Sequence, residues 1–355
     1  MSNNRITFRN GVSIGNQSPT ALNVLIGANS PDQLSCEKKK LSKLLNSDYP
    51  ITIITDLSLV TAPNGEALWS EVVRDGRYIA GSVPIYQVID DRFMIDKNKL
   101  LDLIWNLAEN GIQLLTIHPT PTVELLNKSK SRITPVTSRG GATVLADMLY
   151  HHRSENVYLQ ALDEIIRIAH RHSIVLSIGS SFRSANIHDA LDEAYYLELE
   201  KQLEIAEYCS KNNVEVIIET PGHVSPQGIF SLCDHLEKNC PYPIMPLGPL
   251  PTDCAFEQDD LAGAIGAVLM GTKGFADILS IVTQDEHLGG IPSFNSIESA
   301  IKKYSVAKHI IDIYKIKDYS SDYEVSKKRS EKKSCILSEK ECSRCSLLCP
   351  LKLIV

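Results

Sequence analysis

From about residue 20 onward, short runs of aliphatic and β-branched residues alternate with longer stretches whose apolar positions recur every three or four residues. The short runs predict strands at Leu22–Gly27, Ile51–Asp56, Ser82–Gln87, Leu114–His118, Ile133–Thr137, Ile174–Gly179, Val214–Glu219, Ile244–Gly248 and Ile278–Thr283. Many are apolar almost throughout, as parallel strands covered on both faces are. Helices are expected at Lys97–Asn110, Asn156–Arg171, Asp189–Asn212, Gln227–Lys238, Asp260–Met270 and Ala300–Tyr319. In Asp189–Asn212 the stripe is Leu191, Tyr195, Leu199, Leu203 and Ala206, with charges between. Ser320–Lys333 is polar and dense in charge, and reads equally as a solvated linker or an exposed helix.

Repeated strand–helix alternation gives an α/β fold with a parallel sheet, either doubly wound or closed into a (β/α)8 TIM-like barrel. No Gly-x-Gly-x-x-Gly follows the first strand and no phosphate-binding Walker loop occurs, which favours the barrel. Nine strand strings compete for eight places; Ile133–Thr137 is the weakest, because only a short stretch separates it from its predecessor. At or just past the carboxyl ends of the strings stand Asp56, Tyr86, His118, Ser138, Arg139, Arg183, Glu219, His223 and His287. In a barrel those ends meet at one rim, where active sites are built. The expected organisation is a catalytic barrel over residues 1–299, a helix and charged linker over 300–333, and a cysteine-rich segment over 334–355.

Composition narrows the class. With 43% hydrophobic and 22% charged residues, the chain of 355 is neither disordered, collagenous nor coiled-coil. A net charge of −7 argues against general nucleic-acid binding. The amino end is polar and no apolar run is long enough to span a bilayer, so a cytoplasmic protein without membrane attachment is expected.

Five of the nine cysteines are scattered, whereas Cys335, Cys342, Cys345 and Cys349 crowd near the carboxyl end. Cys342-Ser-Arg-Cys345-Ser-Leu-Leu-Cys349-Pro350 places three thiols within eight residues, enough for one face of an iron–sulfur cube. Zinc competes, and needs a fourth ligand that Cys335 could supply. Three ligands leave one iron open to a small molecule; four close the site.

Two further constellations lie at strand ends. Glu219-Thr-Pro-Gly-His223 and Glu286-His287 offer imidazoles that suit zinc, iron or cobalt, although a single His is more often structural. Ser138-Arg139-Gly140-Gly141, entering a helical stretch, and Arg183 offer N–H groups and guanidinium charge to a phosphate, although the motif alone is also that of an ordinary turn.

Together these segments resemble the phosphomethylpyrimidine synthase (ThiC) family. The matching stretches run in family order: Ser82-Val-Pro-Ile-Tyr86-Gln, Thr116-Ile-His118, Ser138-Arg-Gly-Gly141, His151-His-Arg-Ser-Glu-Asn156 and Asp192-Glu193-Ala194, then Glu219-Thr-Pro-Gly-His223-Val, Leu247-Gly-Pro-Leu-Pro-Thr-Asp253, Ala264-Ile-Gly266, Thr283-Gln-Asp-Glu-His287-Leu-Gly289 and the cysteine tail. The resemblance implies a (β/α)8 barrel with a carboxyl-terminal 4Fe–4S segment that reaches the partner's active site in a homodimer. It implies a radical S-adenosylmethionine lyase, fed by a reductant protein, that rearranges aminoimidazole ribonucleotide into 4-amino-5-hydroxymethyl-2-methylpyrimidine phosphate. By the same resemblance Tyr86, His118, Ser138, Arg139, Gly140, Arg183 and Glu219 bind substrate, with Glu219 also able to move protons. His223 and His287 would bind one mononuclear divalent metal (zinc or iron), and Cys342, Cys345 and Cys349 the cluster.

The departures point to a divergent paralogue. The family's Asp-Gly-Leu-Arg is Ser180-Ser-Phe-Arg183, its Glu-Gly-Pro-Gly-His is Glu219-Thr-Pro-Gly-His223, and a substrate-contacting Tyr is Met245. A Met near the second strand's end is Thr55, and the family's Cys-x2-Cys-x4-Cys is one residue shorter. The family's long amino-terminal region has no counterpart in this sequence. Three other outcomes stay open: a paralogue making 5-hydroxybenzimidazole from the same nucleotide, a non-radical metal-dependent barrel lyase, and a non-catalytic nucleotide-binding protein.

Overall fold

A computed structural model describes residues 5–61, 67–338, 340 and 342–352. A short hairpin, β1 (Ile6–Thr7) and β2 (Ser13–Ile14), precedes β3 (Ala21–Ile26), α1 (Pro31–Leu45), β4 (Ile53–Asp56), α2 (Leu68–Asp75) and β5 (Ile79–Ser82). Next come α3 (Lys97–Glu109), β6 (Leu114–Ile117), α4 (Val123–Ser129), α5 (Arg139–Tyr150), α6 (Val157–Gln160), α7 (Leu162–His172) and β7 (Val175–Ile178). The chain continues through α8 (Glu193–Lys211), β8 (Val216–Glu219), α9 (Pro226–Asn239), β9 (Ile244–Met245), α10 (Asp259–Gly271), β10 (Ile278–Ser280), α11 (Phe294–Ile316) and α12 (Ser320–Glu331). Asp96, Thr122, Ser138, Asn156, Asp192, Ser225 and Ser293 each start a helix by accepting a backbone N–H bond at its first turn.

The large sheet is wholly parallel, in the order β10-β3-β4-β5-β6-β7-β8-β9. Its ends meet: Leu247 and Ser280 form a parallel bridge, and Asp277 N donates to Ile244 O at 3.0 Å. The sheet therefore closes, giving the expected (β/α)8 barrel.

Strand parity builds the barrel's interior in layers. Ala21, Ile53, Ile79, Leu114, Val175, Ile217, Met245 and Ile278 pack with Ile6, Phe8 and Ile14 of the hairpin, forming an apolar floor. Two residues further along, on the same faces, stand Asn23, Thr55, Gly81, Thr116, Ser177, Glu219 and Ser280. They bond to one another: Thr55 Oγ1 donates to Asn23 Oδ1 (2.8 Å) and Asn23 Nδ2 to Ser280 Oγ (3.2 Å). Outside the strands a second, larger core packs the helices onto the barrel.

Several expected elements are corrected. Ile133–Thr137 is not a strand; it is a loop between α4 and α5, with Ile133 exposed and the Ile133 and Thr134 amides bonded to the Asp189 carboxylate (3.0 and 2.9 Å). The third strand is Ile79–Ser82, and Pro84–Gln87 is a 3-10 turn, because the prolyl nitrogen has no N–H to give a ladder. Asn156–Arg171 divides into α6 and α7, and Ser320–Lys333 is largely the exposed helix α12. Among the described residues no helix is long and apolar enough to cross a membrane.

α11 carries the chain from the rim to the barrel's foot. Near its carboxyl end Asp312 accepts from Thr20 N at 2.7 Å, and Lys315 pairs with Asp277; both partners lie just before strand starts. The cysteine tail thus sets out from the end opposite the rim, through a helix with no buried residue.

Candidate active site

At the rim the ends of β6, β7 and β8 and the start of α5 bring together five of the expected residues. Ser138 caps α5, its Oγ accepting from Gly141 N at 3.2 Å while lying 3.0 Å from His118 Nε2. Gly140 is required by this approach: a Cβ there would sit 2.3 Å from the His118 ring. Burial, and next the Arg183 charge, push the His118 pKa down to about 3, so the ring is neutral. Its Nδ1 is buried and has no partner.

Glu219 ends β8 and points into the polar layer, where Thr116 Oγ1 and Ser177 Oγ both donate to Oε1 (3.2 Å each). Burial raises its pKa, against the opposing pull of Arg183. Arg183 therefore acts on both His118 and Glu219, and its field also reaches Glu286. Tyr86 and Arg139 pair with each other beside β4's end. The Arg139 guanidinium lies 4.0 Å over the Tyr86 ring and donates to Leu57 O (3.0 Å).

His223 and His287 meet with ring centroids 5.2 Å apart. His223 Nδ1 lies 2.7 Å from Asp253 Oδ1 and His287 Nδ1 lies 3.1 Å from Asp259 Oδ1. Each carboxylate holds its imidazole at Nδ1, the kind of outer contact that orients an imidazole for a divalent ion. It is not a complete cage: among the described residues no three His, Cys, Asp or Glu side chains gather closely enough to hold an ion. Water or substrate would fill the remaining positions.

Cys342, Cys345 and Cys349 line one concavity of about 440 Å³ with Lys332, Lys333, Lys340 and Lys352 around it. The lysines suit an anionic thiolate-bound cluster in charge, but, as at the histidines, the three cysteines are not gathered closely enough in this structure to hold a metal, so the described residues do not present a preformed cluster site. Buried Cys209, Cys233 and Cys240 are pushed up to about 12 and stay protonated, so they are poor ligands. Asp56 is not a site group; its carboxylate accepts from Ser58 N (2.9 Å) and Trp69 N (3.1 Å).

Some rim groups were not foreseen. Thr116 and Ser177 hold Glu219, and Ser82, Ser181 and Thr283 carry buried hydroxyls without a partner. The available signal was parity, since Thr116 and Ser177 are polar breaks at inward positions of otherwise apolar runs.

The radical SAM ThiC family model matches residues 1–341, and the chain belongs to that family. Membership makes it a ThiC-like radical S-adenosylmethionine protein, for which that cofactor and an iron–sulfur cluster are implied. Solved structures are similar only in outline. A dihydropteroate synthetase with its product matches at 11% identity and TM-score 0.46, covering 86% of this chain and 100% of that one. A phospho-2-dehydro-3-deoxyheptonate aldolase from Thermotoga maritima matches at 12% and 0.48, covering 87% and 75%. FolP, a dihydropteroate synthase from Clostridium difficile, matches at 10% and 0.46, covering 84% and 98%.

Proposed function

We propose that this protein is a radical S-adenosylmethionine lyase converting aminoimidazole ribonucleotide to 4-amino-5-hydroxymethyl-2-methylpyrimidine phosphate. The observation that carries this is the rim cluster: a neutral His118 with an unpaired Nδ1, the Arg183 cation and the buried Glu219, beside the start of α5. One cation and a helix amino end suit a phosphate. A neutral imidazole and an acid of raised pKa suit a heterocycle that must accept and give protons.

Ser138, Arg139, Gly140 and Arg183 bind the phosphate and ribose side. Tyr86 shields it by stacking on Arg139, and His118 bonds the ligand through the nitrogen that Ser138 leaves free. Glu219 holds or moves a proton at its carboxyl group, which Thr116 and Ser177 steady at Oε1 and the Ser180 amide also engages. His223 and His287 would hold a zinc or iron ion, and Cys342, Cys345 and Cys349 would hold the 4Fe–4S cluster. When bound, that cluster would supply the electron for reductive cleavage of S-adenosylmethionine. The tail departs from the foot of its own barrel, which supports a homodimer in which each tail serves the other rim. The work is cytoplasmic, in keeping with nine unpaired cysteines, and an electron-carrying protein reduces the cluster.

The second reading is a different product, 5-hydroxybenzimidazole, from a site that lacks one of the family's substrate contacts. Where the resemblance places a substrate carboxylate, Ser180 turns its hydroxyl away to Glu198 (2.9 Å). The test is anaerobic: iron- and sulfide-reconstituted protein is reduced and given S-adenosylmethionine and aminoimidazole ribonucleotide. Substrate-dependent 5′-deoxyadenosine is expected, and the product's mass separates the pyrimidine from the benzimidazole. A fully loaded cluster yielding none would refute the lyase.

The histidine site has its own readout. His223→Ala or His287→Ala should weaken retention of zinc or iron after dialysis by roughly tenfold or more, read by elemental analysis. Unchanged metal content in both variants would remove these residues from the metal's ligand set.

A further inference from the structure

α8 turns a polar edge toward the rim. Glu198 and Gln202 are one helical turn apart, and both are buried. Gln202 Nε2 donates to the carbonyls of Ile178 (2.8 Å) and Glu219 (3.0 Å), the last residues of β7 and β8. Glu198 is more heavily engaged. Its Oε1 accepts from Thr120 Oγ1 (2.6 Å) and the Ser181 amide (2.7 Å). Its Oε2 accepts from Ser180 Oγ (2.9 Å) and the Phe182 amide (2.6 Å). All four donors belong to segments just past β6 and β7.

The segment it grips leads directly into Arg183. From other sides Arg132 Nη1 donates to Phe182 O (2.7 Å) and Thr137 Oγ1 to Arg183 O (2.6 Å), while His223 N donates to Ser184 O (2.9 Å). The Arg183 guanidinium itself donates back to Ser180 O. Two of Glu198's partners are consecutive amides that no other group satisfies among the described residues, so removing the acceptor must either strand them or move the loop. A loop that moves carries Arg183 with it.

We propose that Glu198 is a positioning residue: it clamps the Ser180–Phe182 loop so that Arg183 faces His118 and Glu219 and receives the anionic group of a ligand there. The choice of ligand rests on the function proposed above, whereas the clamp does not. The Ser180 hydroxyl is then part of the clamp and not of the ligand surface.

Glu198→Gln keeps the shape but exchanges one oxygen for an NH2 that opposes an amide donor. Hydrogen exchange on the intact chain should show faster exchange at Ser181 and Phe182, by roughly tenfold or more, with β6 and β4 protected as in the wild type. Aminoimidazole ribonucleotide should bind roughly tenfold or more weakly by calorimetry, with Glu198→Asp recovering part of the loss. Unchanged loop exchange would overturn the clamp, as would a loss of protection spread evenly through the barrel strands. If Glu198→Gln does not fold, Thr120→Val with Ser180→Ala removes two of the four donors and must show the same local loosening in milder form. Wild-type protein that binds no nucleotide would refute the ligand and leave the exchange comparison to decide the clamp.

Discussion

Replacing Cys342, Cys345 and Cys349 together by serine is expected to strip the reconstituted iron and sulfide and reduce 5′-deoxyadenosine formation to that of a protein-free control. The barrel's unfolding midpoint should stay within about 2 °C of the wild type, because the helix leading to the tail buries nothing. Iron content, product analysis and thermal unfolding on one preparation check all three. Mixing this variant with Glu219→Gln adds a sharper expectation. If each tail serves the partner's rim, mixed dimers regain activity that neither parent has, since one intact rim meets one intact tail. No recovery after confirmed subunit exchange would place the tail over its own barrel. Activity persisting in the serine variant would instead support the metal-dependent lyase.

The second large effect concerns acid. Because His118 is held neutral down to about pH 3, the unfolded chain takes up a proton at its ordinary pKa of 6.5 that the folded chain refuses. The sign follows: this contribution is intact above pH 6.5 and is lost as pH falls from 6.5 toward 3. Over the full window it amounts to about 5 kcal/mol. In urea unfolding, the wild type should lose about 3 kcal/mol more than His118→Gln between pH 7 and pH 4. Parallel pH profiles would mean that the folded protein accepts the proton as readily as the unfolded chain, so that burial does not hold the His118 ring neutral. The stability result therefore bears on chemistry: with a neutral ring, Arg183 is the charge that an anion finds at this point of the rim.

Much of this was legible in the residues, for identifiable reasons. Strands such as Ile174–Gly179 and Val214–Glu219 read clearly because a barrel buries both of their faces. Ser138-Arg139-Gly140-Gly141 read as a helix start because a hydroxyl before a run of small residues is what a cap and a close approach demand. Ile133–Thr137 misled because β-branched residues also suit an extended loop, and its order comes from the Asp189 carboxylate far along the chain. Glu198 was hidden for a related reason. On a helix full of charges it passes for one more solvated acid, and only the fold reveals that it faces inward. The pairing of His223 and His287 with Asp253 and Asp259 was likewise a matter of tertiary approach, which spacing along the chain does not encode.

The tail's attachment has a consequence for the protein's life in air. Iron–sulfur clusters are consumed by oxygen, and in many proteins such damage undoes the fold around them. With the cluster assigned to the tail as proposed, the vulnerable part follows an exposed helix that begins at the foot of the barrel, and the tail's cysteines are not part of the barrel's core. Oxidation would then silence the protein without destroying it, and fresh iron and sulfide could restore a scaffold that had waited intact.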